Sequence, residues 1–145
     1  SENYSAVRNW VMPSLLQCFT KNMHTEYSQK IFELGEVVVR DETSADHTKT
    51  INKIGAAISD SNIGYEQISS CLDAFLSSLG LSYQLEKTDH NSFIQGRTAK
   101  IIIDNKEVGI VGEIHPQVLN NWGLEKMVVV FELDADMLFH LSNRK

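Results

Sequence analysis

Two β-prone runs, Thr98 to Ile103 and Glu107 to Ile114, are separated only by Asp104-Asn105-Lys106. Three turn-forming residues reverse a chain but cannot carry it back to begin a parallel neighbour, so the two runs must lie antiparallel as a hairpin. Two further β-prone runs, Lys30 to Arg40 and Thr50 to Ile58, are joined by the polar stretch Asp41 to Thr48, which reads as a long hairpin loop. Adjacent strands joined by turns rather than by regular helical crossovers specify an antiparallel sheet, and the helical segments between them specify the α+β class, with helices flanking the sheet.

The helices declare themselves by periodicity. Met12, Leu15, Leu16, Phe19 and Met23 recur at three-and-four spacing, which predicts a helix from about Met12 to Met23 with Pro13 in its first turn. Tyr65, Ile68, Leu72, Phe75, Leu76 and Leu79 form one stripe, which predicts a helix over Tyr65 to Leu79 ended by Gly80 in a left-handed cap. Leu81, Tyr83 and Leu85 alternate with polar residues and are expected to form a short strand facing that helix. Pro116 opens a short helix closed by Gly123, Met127 to Asp134 is a final strand, and a terminal amphipathic piece carries Met137, Leu138 and Leu141. Gly35 inside the first strand is expected to mark a bulge or a close backbone approach, and Gly109 and Gly112 to be packing or bulge glycines.

At 145 residues, 42% hydrophobic and 22% charged, the chain is expected to be one globular domain, 1–145. Roughly two thirds of the unfolded surface is buried at such a length, so a core forms without metal or disulfide staples. The net charge of −6 argues against a general nucleic-acid binder. Cys18 and Cys71 are far apart and outside any CxxC pair, which argues against a zinc ribbon or a dithiol redox motif and fits a reducing, cytoplasmic setting. The apolar runs are far too short to span a bilayer, and no basic region followed by a hydrophobic stretch opens the chain, so no membrane partner is expected. The first residue is Ser1 rather than Met, as in a domain cut from a longer protein.

No phosphate-cradling glycine loop, HExxH, GxSxG or EF-hand pattern occurs. Asp89-His90, and Glu113 with His115, are the nearest approaches to a zinc or acid–base constellation, and close pairs of this kind also arise on solvated loops. Glu113 and His115, two apart, project from one face of a strand; they form either a polar cluster at the sheet end or, more simply, a helix cap by His115 with Glu113 paired to a neighbour. Arg97 follows Gly96 at the expected entrance to a strand, where a guanidinium suits a phosphate, a carboxylate or a partner. Cys18 and Cys71 are read as small buried hydrophobes, since no histidine lies at local spacing to activate either.

The residues also carry a family resemblance. Lys-Ile-Phe-Glu-Leu-Gly-Glu-Val-Val (30 to 38), preceded by Met-Pro-Ser-Leu-Leu-Gln-Cys-Phe-Thr-Lys-Asn (12 to 22), resembles the start of the C-terminal core module of the phenylalanyl-tRNA synthetase β subunit, of archaeal/eukaryotic type. Gly-Arg-Thr-Ala-Lys-Ile (96 to 101), Val-Gly-Ile-Val-Gly-Glu-Ile-His-Pro-Gln-Val-Leu (108 to 119), Trp122-Gly-Leu and Phe131-Glu-Leu-Asp look like its second half, so that the likeness covers about Val7 to Asp134. The resemblance implies a fold like the class II aminoacyl-tRNA synthetase catalytic core and a catalytic-like module that has lost its own site. It further implies an α-subunit partner in an α2β2 heterotetramer that joins phenylalanine to tRNA(Phe) using ATP and magnesium, with tRNA held by the whole complex. The FRxE of the second class II motif and the arginine-ending third motif are absent, and a synthetase needs such arginines for ATP phosphates and the acyl carboxylate. No catalytic, cofactor or metal residue is therefore expected in this chain. Glu33, Arg97, Glu113 and His115 are carried forward as interface or structural polar positions. The expected role is a non-catalytic assembly module; the alternatives are a free-standing protein-binding or regulatory domain and a diverged ATP-dependent ligase.

Overall fold

The computed structural model describes residues 8–143. Along the chain they form α1 (Met12–Lys21), β1 (Gln29–Arg40), β2 (Thr48–Asp60), α2 (Tyr65–Ser78), β3 (Gln84–Lys87), β4 (Phe93–Ile103), β5 (Lys106–Ile114), α3 (Pro116–Asn121), β6 (Met127–Asp134) and α4 (Ala135–Ser142). The strands make a six-stranded sheet in the order β1-β2-β6-β5-β4-β3, every neighbouring pair antiparallel. The class and the hairpins follow the sequence reading. The β4–β5 turn is tighter than expected, because Lys106 already pairs with Ile103. Asp104 and Asn105 alone turn the chain, at φ 51° and 64°, the left-handed pair that suits the twist of a two-residue hairpin.

The last strand enters the middle of the sheet. β6 pairs with β2 along one edge and β5 along the other, and its side chains alternate between two cores. Val129, Phe131 and Leu133 face α2 and α4, where Ile68, Leu72, Leu76, Leu138 and Leu141 are buried and Phe75 stacks on Phe131 at 6.2 Å. Val128 and Val130 face α1, against Val11, Leu15, Leu16 and Phe19. Burial on both faces is why this strand reads as an apolar run broken only by Glu132 before its last residue Asp134, rather than an alternating one.

The second helix and the segment after it refine the sequence reading. Of its six stripe residues only Ile68, Leu72 and Leu76 are fully buried, each contributing about 1.5–3 kcal/mol before entropy, while Tyr65, Phe75 and Leu79 are partly covered. The strand expected from Leu81 to Leu85 begins only at Gln84, and Leu85 is exposed. Leu81 is buried for a different reason: its N–H bonds Leu76 O at 3.0 Å while the Gly80 N–H bonds Ser77 O at 2.9 Å, a Schellman turn with Gly80 at φ +71°. In that turn the residue after the glycine packs back on the helix. The same bonds recur after α3, where Gly123 donates to Asn120 O and Leu124 to Leu119 O.

α1 has no side-chain cap of its own. Its free amides are met from the sheet instead. The Val11 N–H donates to Glu132 Oε2 at 2.9 Å and the Met12 N–H to Glu132 Oε1 at 2.8 Å, with Lys53 Nζ 3.4 Å from the same carboxylate. The Gly55 position directly opposite Glu132 leaves room for the helix: a Cβ there would lie 2.9 Å from Leu15 Cδ1. A carboxylate at a helix N-terminus meets both orphan donors and the positive end of the dipole. Burial nevertheless pushes the Glu132 carboxyl above its ordinary value, and the amide bonds and Lys53 only partly offset it.

Replacing Glu132 with Ala strands two buried amides and is expected to cost about 2–5 kcal/mol in urea unfolding, with little loss for a matched truncation of exposed Glu42. Because the folded chain holds the Glu132 proton more tightly than the unfolded chain, this group favours the fold most below its ordinary value of 4.5, and that contribution falls as the pH rises above it. The stability of the natural chain minus that of Glu132→Gln should therefore decline between pH 4.5 and neutrality; a difference that grows with pH contradicts the assignment.

Candidate interface on the outer strand

β1 forms one edge of the sheet and β3 the other, and the two edges differ. β3 is four residues long, exposed throughout, and carries Glu86 and Lys87, which blunts it against pairing with another chain. β1 is twelve residues long. Its even-numbered side chains share a sheet face with Ala56 and Ile54 of β2, to which Phe32 and Leu34 are directly paired. On that face α2 packs over β5 and β6, and α4 over β2 and β6. Phe32 and Leu34 are consequently 68% and 65% exposed. Two large apolar side chains on an unblunted edge strand form an uncovered surface of the kind used for partner docking.

The backbone of β1 points the same way. Arg8 covers the far end of its outer edge: the Val38 N–H donates to Arg8 O at 2.8 Å, and Arg8 Nε donates to Glu36 O at 3.0 Å. These bonds show that the even residues direct their peptide groups outward. Among the described residues nothing pairs with the outward groups of Lys30, Phe32 and Leu34.

Glu33 lies on the opposite face, where it receives Arg8 Nη1 at 3.0 Å, and the same Nη1 donates to Ser14 Oγ at 2.7 Å. The Arg8 guanidinium lies across Gly35, where a Cβ would collide with it. The glycine marks a close approach, and the β1–β2 register runs through it without a bulge. Glu33 thus fastens the chain before α1 to the edge strand.

Arg97 and Glu113 are brought together, and His115 stands apart from them. Arg97 is inside β4 rather than at its entrance, because the strand begins at Phe93. Phe93 pairs with Ile114 and Thr98 with Gly112, so Ile94, Gln95, Gly96 and Arg97 bulge out opposite Glu113 alone. Gly96 takes φ +83°, and Thr98 Oγ1 closes the bulge on Ile94 O at 2.9 Å. Gly112 lies beneath it, with Phe93 Cδ1 2.7 Å from where its Cβ would be. Arg97 Nη1 donates to Glu113 Oε2 at 3.1 Å; the glutamate side chain is 4% exposed and the arginine 56%. The pair borders an open depression of about 470 Å³ beside Gly64 and Tyr65. His115 Nδ1 accepts the Gln117 N–H at 3.0 Å and so caps α3. Among the described residues no three His, Cys, Asp or Glu side chains come together to hold a metal ion. Cys18 and Cys71 are free thiols of intermediate exposure rather than buried.

Arg8, Phe32, Leu34 and Glu132 were not singled out by sequence reasoning. Phe32 and Leu34 read as ordinary β-formers, and only the even-numbered sequence Lys30, Phe32, Leu34, Glu36, apolar in the middle and charged at both ends, hints at an uncovered face. Glu132 had a clearer signal: it is a lone carboxylate within the run Val128 to Leu133, a pattern that requires a buried partner.

Comparison with known proteins gives a consistent result. The family model described as "Phenylalanyl tRNA synthetase beta chain CLM domain" matches residues 1–135. Among curated proteins, the phenylalanine–tRNA ligase β subunit of Thermococcus onnurineus is 43% identical over 133 residues, covering 92% of this chain and 23% of that protein. That of Pyrococcus abyssi is 44% identical over 135 residues, covering 92% and 24%, and that of Thermofilum pendens 36% over 137 residues, covering 94% and 25%. The chain thus spans about a quarter of the length of these relatives. Among solved structures, a pyrrolysyl-tRNA synthetase from Desulfitobacterium hafniense superposes with a TM-score of 0.77 at 13% identity, over 95% of this chain and 50% of that one. The shared architecture is that of the class II synthetase catalytic core. Among the described residues no helix is long and apolar enough to cross a membrane.

Substituting Arg97 with Ala leaves the Glu113 carboxylate buried without its ion pair. Discounted for the exposure of the arginine, the expected loss is about 1–2 kcal/mol by thermal or urea unfolding. The Glu113→Gln, Arg97→Ala double variant should recover part of it, because the charge left unpaired is then gone; additive losses would contradict the pairing.

Proposed function

Because this chain belongs to the phenylalanyl-tRNA synthetase β-chain family, we propose that it is a non-catalytic assembly module of phenylalanine–tRNA ligase, and that it holds the α subunit, where the amino acid is joined to tRNA, in its working arrangement. The observation that carries this reading is the outer strand β1, with Phe32 and Leu34 exposed beside outward peptide groups that nothing among the described residues pairs. A strand of the α subunit laid against that edge would cover both side chains and meet the outward N–H and C=O groups of residues 30 to 34. The central apolar pair would supply most of the affinity, with charged Lys30 and Glu36 at the rim setting register.

The polar groups described above at β1, β4 and β6 have structural employment that agrees with such a role. Arg97 is committed to Glu113, Arg8 to Glu33, and Glu132 to the start of α1. On this reading ATP and magnesium serve the α subunit, the assembly is an α2β2 heterotetramer in the cytoplasm, and tRNA(Phe) is gripped by the complex rather than by this module.

The test uses the β subunit carrying this chain, purified and mixed with the α subunit of the same source, with mass measured by light scattering after size-exclusion chromatography. The natural subunit is expected to form a stoichiometric complex. Phe32→Asp with Leu34→Asp should weaken it by about 100-fold or more while leaving the melting temperature of the β subunit unchanged, since both side chains are exposed in the folded module. Absence of a complex with the natural subunit overturns the assembly role in favour of a free-standing domain; an unaffected complex with the double variant removes β1 as the docking surface.

A further inference from the structure

The free stretch of β1 is complementary to itself. On the face it shares with Ile54 and Ala56 it presents Lys30, Phe32, Leu34 and Glu36 in that order, a cation, two apolar side chains and a carboxylate, all exposed. A second strand of the same sequence running the opposite way brings its lysine to the glutamate end and its apolar pair to the apolar pair; one running the same way in register would set like charges against each other. Neither Lys30 nor Glu36 takes part in an ion pair among the described residues. The strand is free of bulges, so its edge is a straight template, and α2 and α4 pack over β2, β5 and β6, which leaves the space beside β1 on this face to a neighbour.

The available peptide groups select one register. Outward groups that no described residue meets lie at Lys30, Phe32 and Leu34, whereas Arg8 occupies the edge at Glu36 and Val38. In an antiparallel pair, outward residues of one strand stand opposite outward residues of the other. With Phe32 opposite Phe32 of a second copy, Lys30 stands opposite Leu34 and Leu34 opposite Lys30, every outward group of the three residues is met, and Arg8 keeps its place. Glu36 then lies diagonal to Lys30 of the second copy, within reach of a long side chain. Sliding the pair one way sets Lys30 on Glu36, whose carbonyl already holds Arg8; sliding it the other way sets Leu34 on Ser28, before the strand begins. A two-fold axis perpendicular to the sheet at Phe32 relates the copies, so the contact closes on itself as a dimer.

We propose that, when no α subunit is bound, a second copy of this chain occupies the edge, β1 against β1 and antiparallel about Phe32, and that the α subunit assembles by displacing it. This regulation rests on the reading of β1 as the docking strand. It has a physical reason: an unblunted edge with exposed Phe32 and Leu34 is a template for any stray strand, and the two-fold pairing closes that template. The contact is confined to residues 30 to 36 and so falls at the small end of protein interfaces, weak enough to be displaced.

The test follows the β subunit carrying this chain by sedimentation from about 1 to 500 μM without the α subunit, where a monomer–dimer equilibrium with a Kd of about 10–100 μM is expected. Lys30→Glu and Glu36→Lys each place like charges on the diagonal and should each weaken the dimer by about tenfold; the two together should restore it. Under oxidised glutathione Phe32→Cys should link two copies, because bonded antiparallel residues have Cα atoms about 5.5 Å apart, within disulfide reach. Leu34→Cys lies about 13 Å along the strand from its own mate and should not link; the natural subunit controls for Cys18 and Cys71. Adding the α subunit before oxidation should abolish the link. A subunit that stays monomeric throughout, or a dimer indifferent to the charge reversals, overturns the proposal and leaves α-subunit docking untouched if the mixed complex still forms. A link through Phe32→Cys that persists in the mixed complex overturns displacement, and a dimer without any mixed complex overturns the docking reading beneath it.

Discussion

The whole molecule turns on β6 lying between strands that precede it in sequence. The N-terminal hairpin of β1 and β2 and the β3-β4-β5 meander share no other ladder; β6 pairs with β2 on one side and β5 on the other and makes them one sheet. A strand paired on both edges and buried on both faces must be apolar nearly throughout, and Val128 to Leu133 is apolar apart from Glu132. That residue then becomes decisive for α1. With its two oxygens on the amides of Val11 and Met12, it fixes where the helix begins, and Gly55 on the neighbouring strand sets how closely the helix approaches.

The consequences spread from α1 to the edge of the sheet. The short segment before the helix carries Arg8, whose guanidinium reaches Glu33 and Ser14, and whose backbone oxygen ends the outer edge of β1 at Val38. One face of β1 is therefore tied inward by polar contacts, while the other holds Phe32 and Leu34 against nothing among the described residues. The same division separates two uncovered surfaces. The even-numbered face of β1 offers an apolar edge suited to a partner protein, and the face across the sheet offers a small mixed-charge cleft beyond the end of α1. The Arg97–Glu113 pair occupies a third place, where a bulge in β4 folds over Gly112 and shields a carboxylate that the strand alternation had already turned inward.

Much of the fold was legible along the chain because its signals are local. The stripe from Ile68 to Leu76, Gly80 after it, the turn residues Asp104 and Asn105, and Pro116 opening α3 each act within a few residues of themselves, so periodicity and turn chemistry locate them without knowledge of the rest. Where a neighbour distant in sequence intervened, the reading slipped. Leu81 looked like the first residue of a strand but is the apolar partner of a Schellman turn. Arg97 looked like a strand entrance but sits in a bulge whose cause is the pairing with β5. Leu85 alternated correctly and still faces solvent, because the edge strand it belongs to runs out beyond the helices.

By itself, then, the sequence determined the antiparallel α+β class, the hairpins, the capped helices and a family likeness concentrated in Phe-Glu-Leu-Gly and Gly-Glu-Ile-His-Pro. All of these depend on residue spacing or on the identity of near neighbours. Only the tertiary structure decided the strand order, the capping of α1 by a glutamate 120 residues away, and the exposure of Phe32 and Leu34. Strand order is a choice among pairings that the local pattern permits equally, and exposure depends on which helix happens to cover which strand. Both are set by packing all the elements at once, and no stretch of chain carries that information alone.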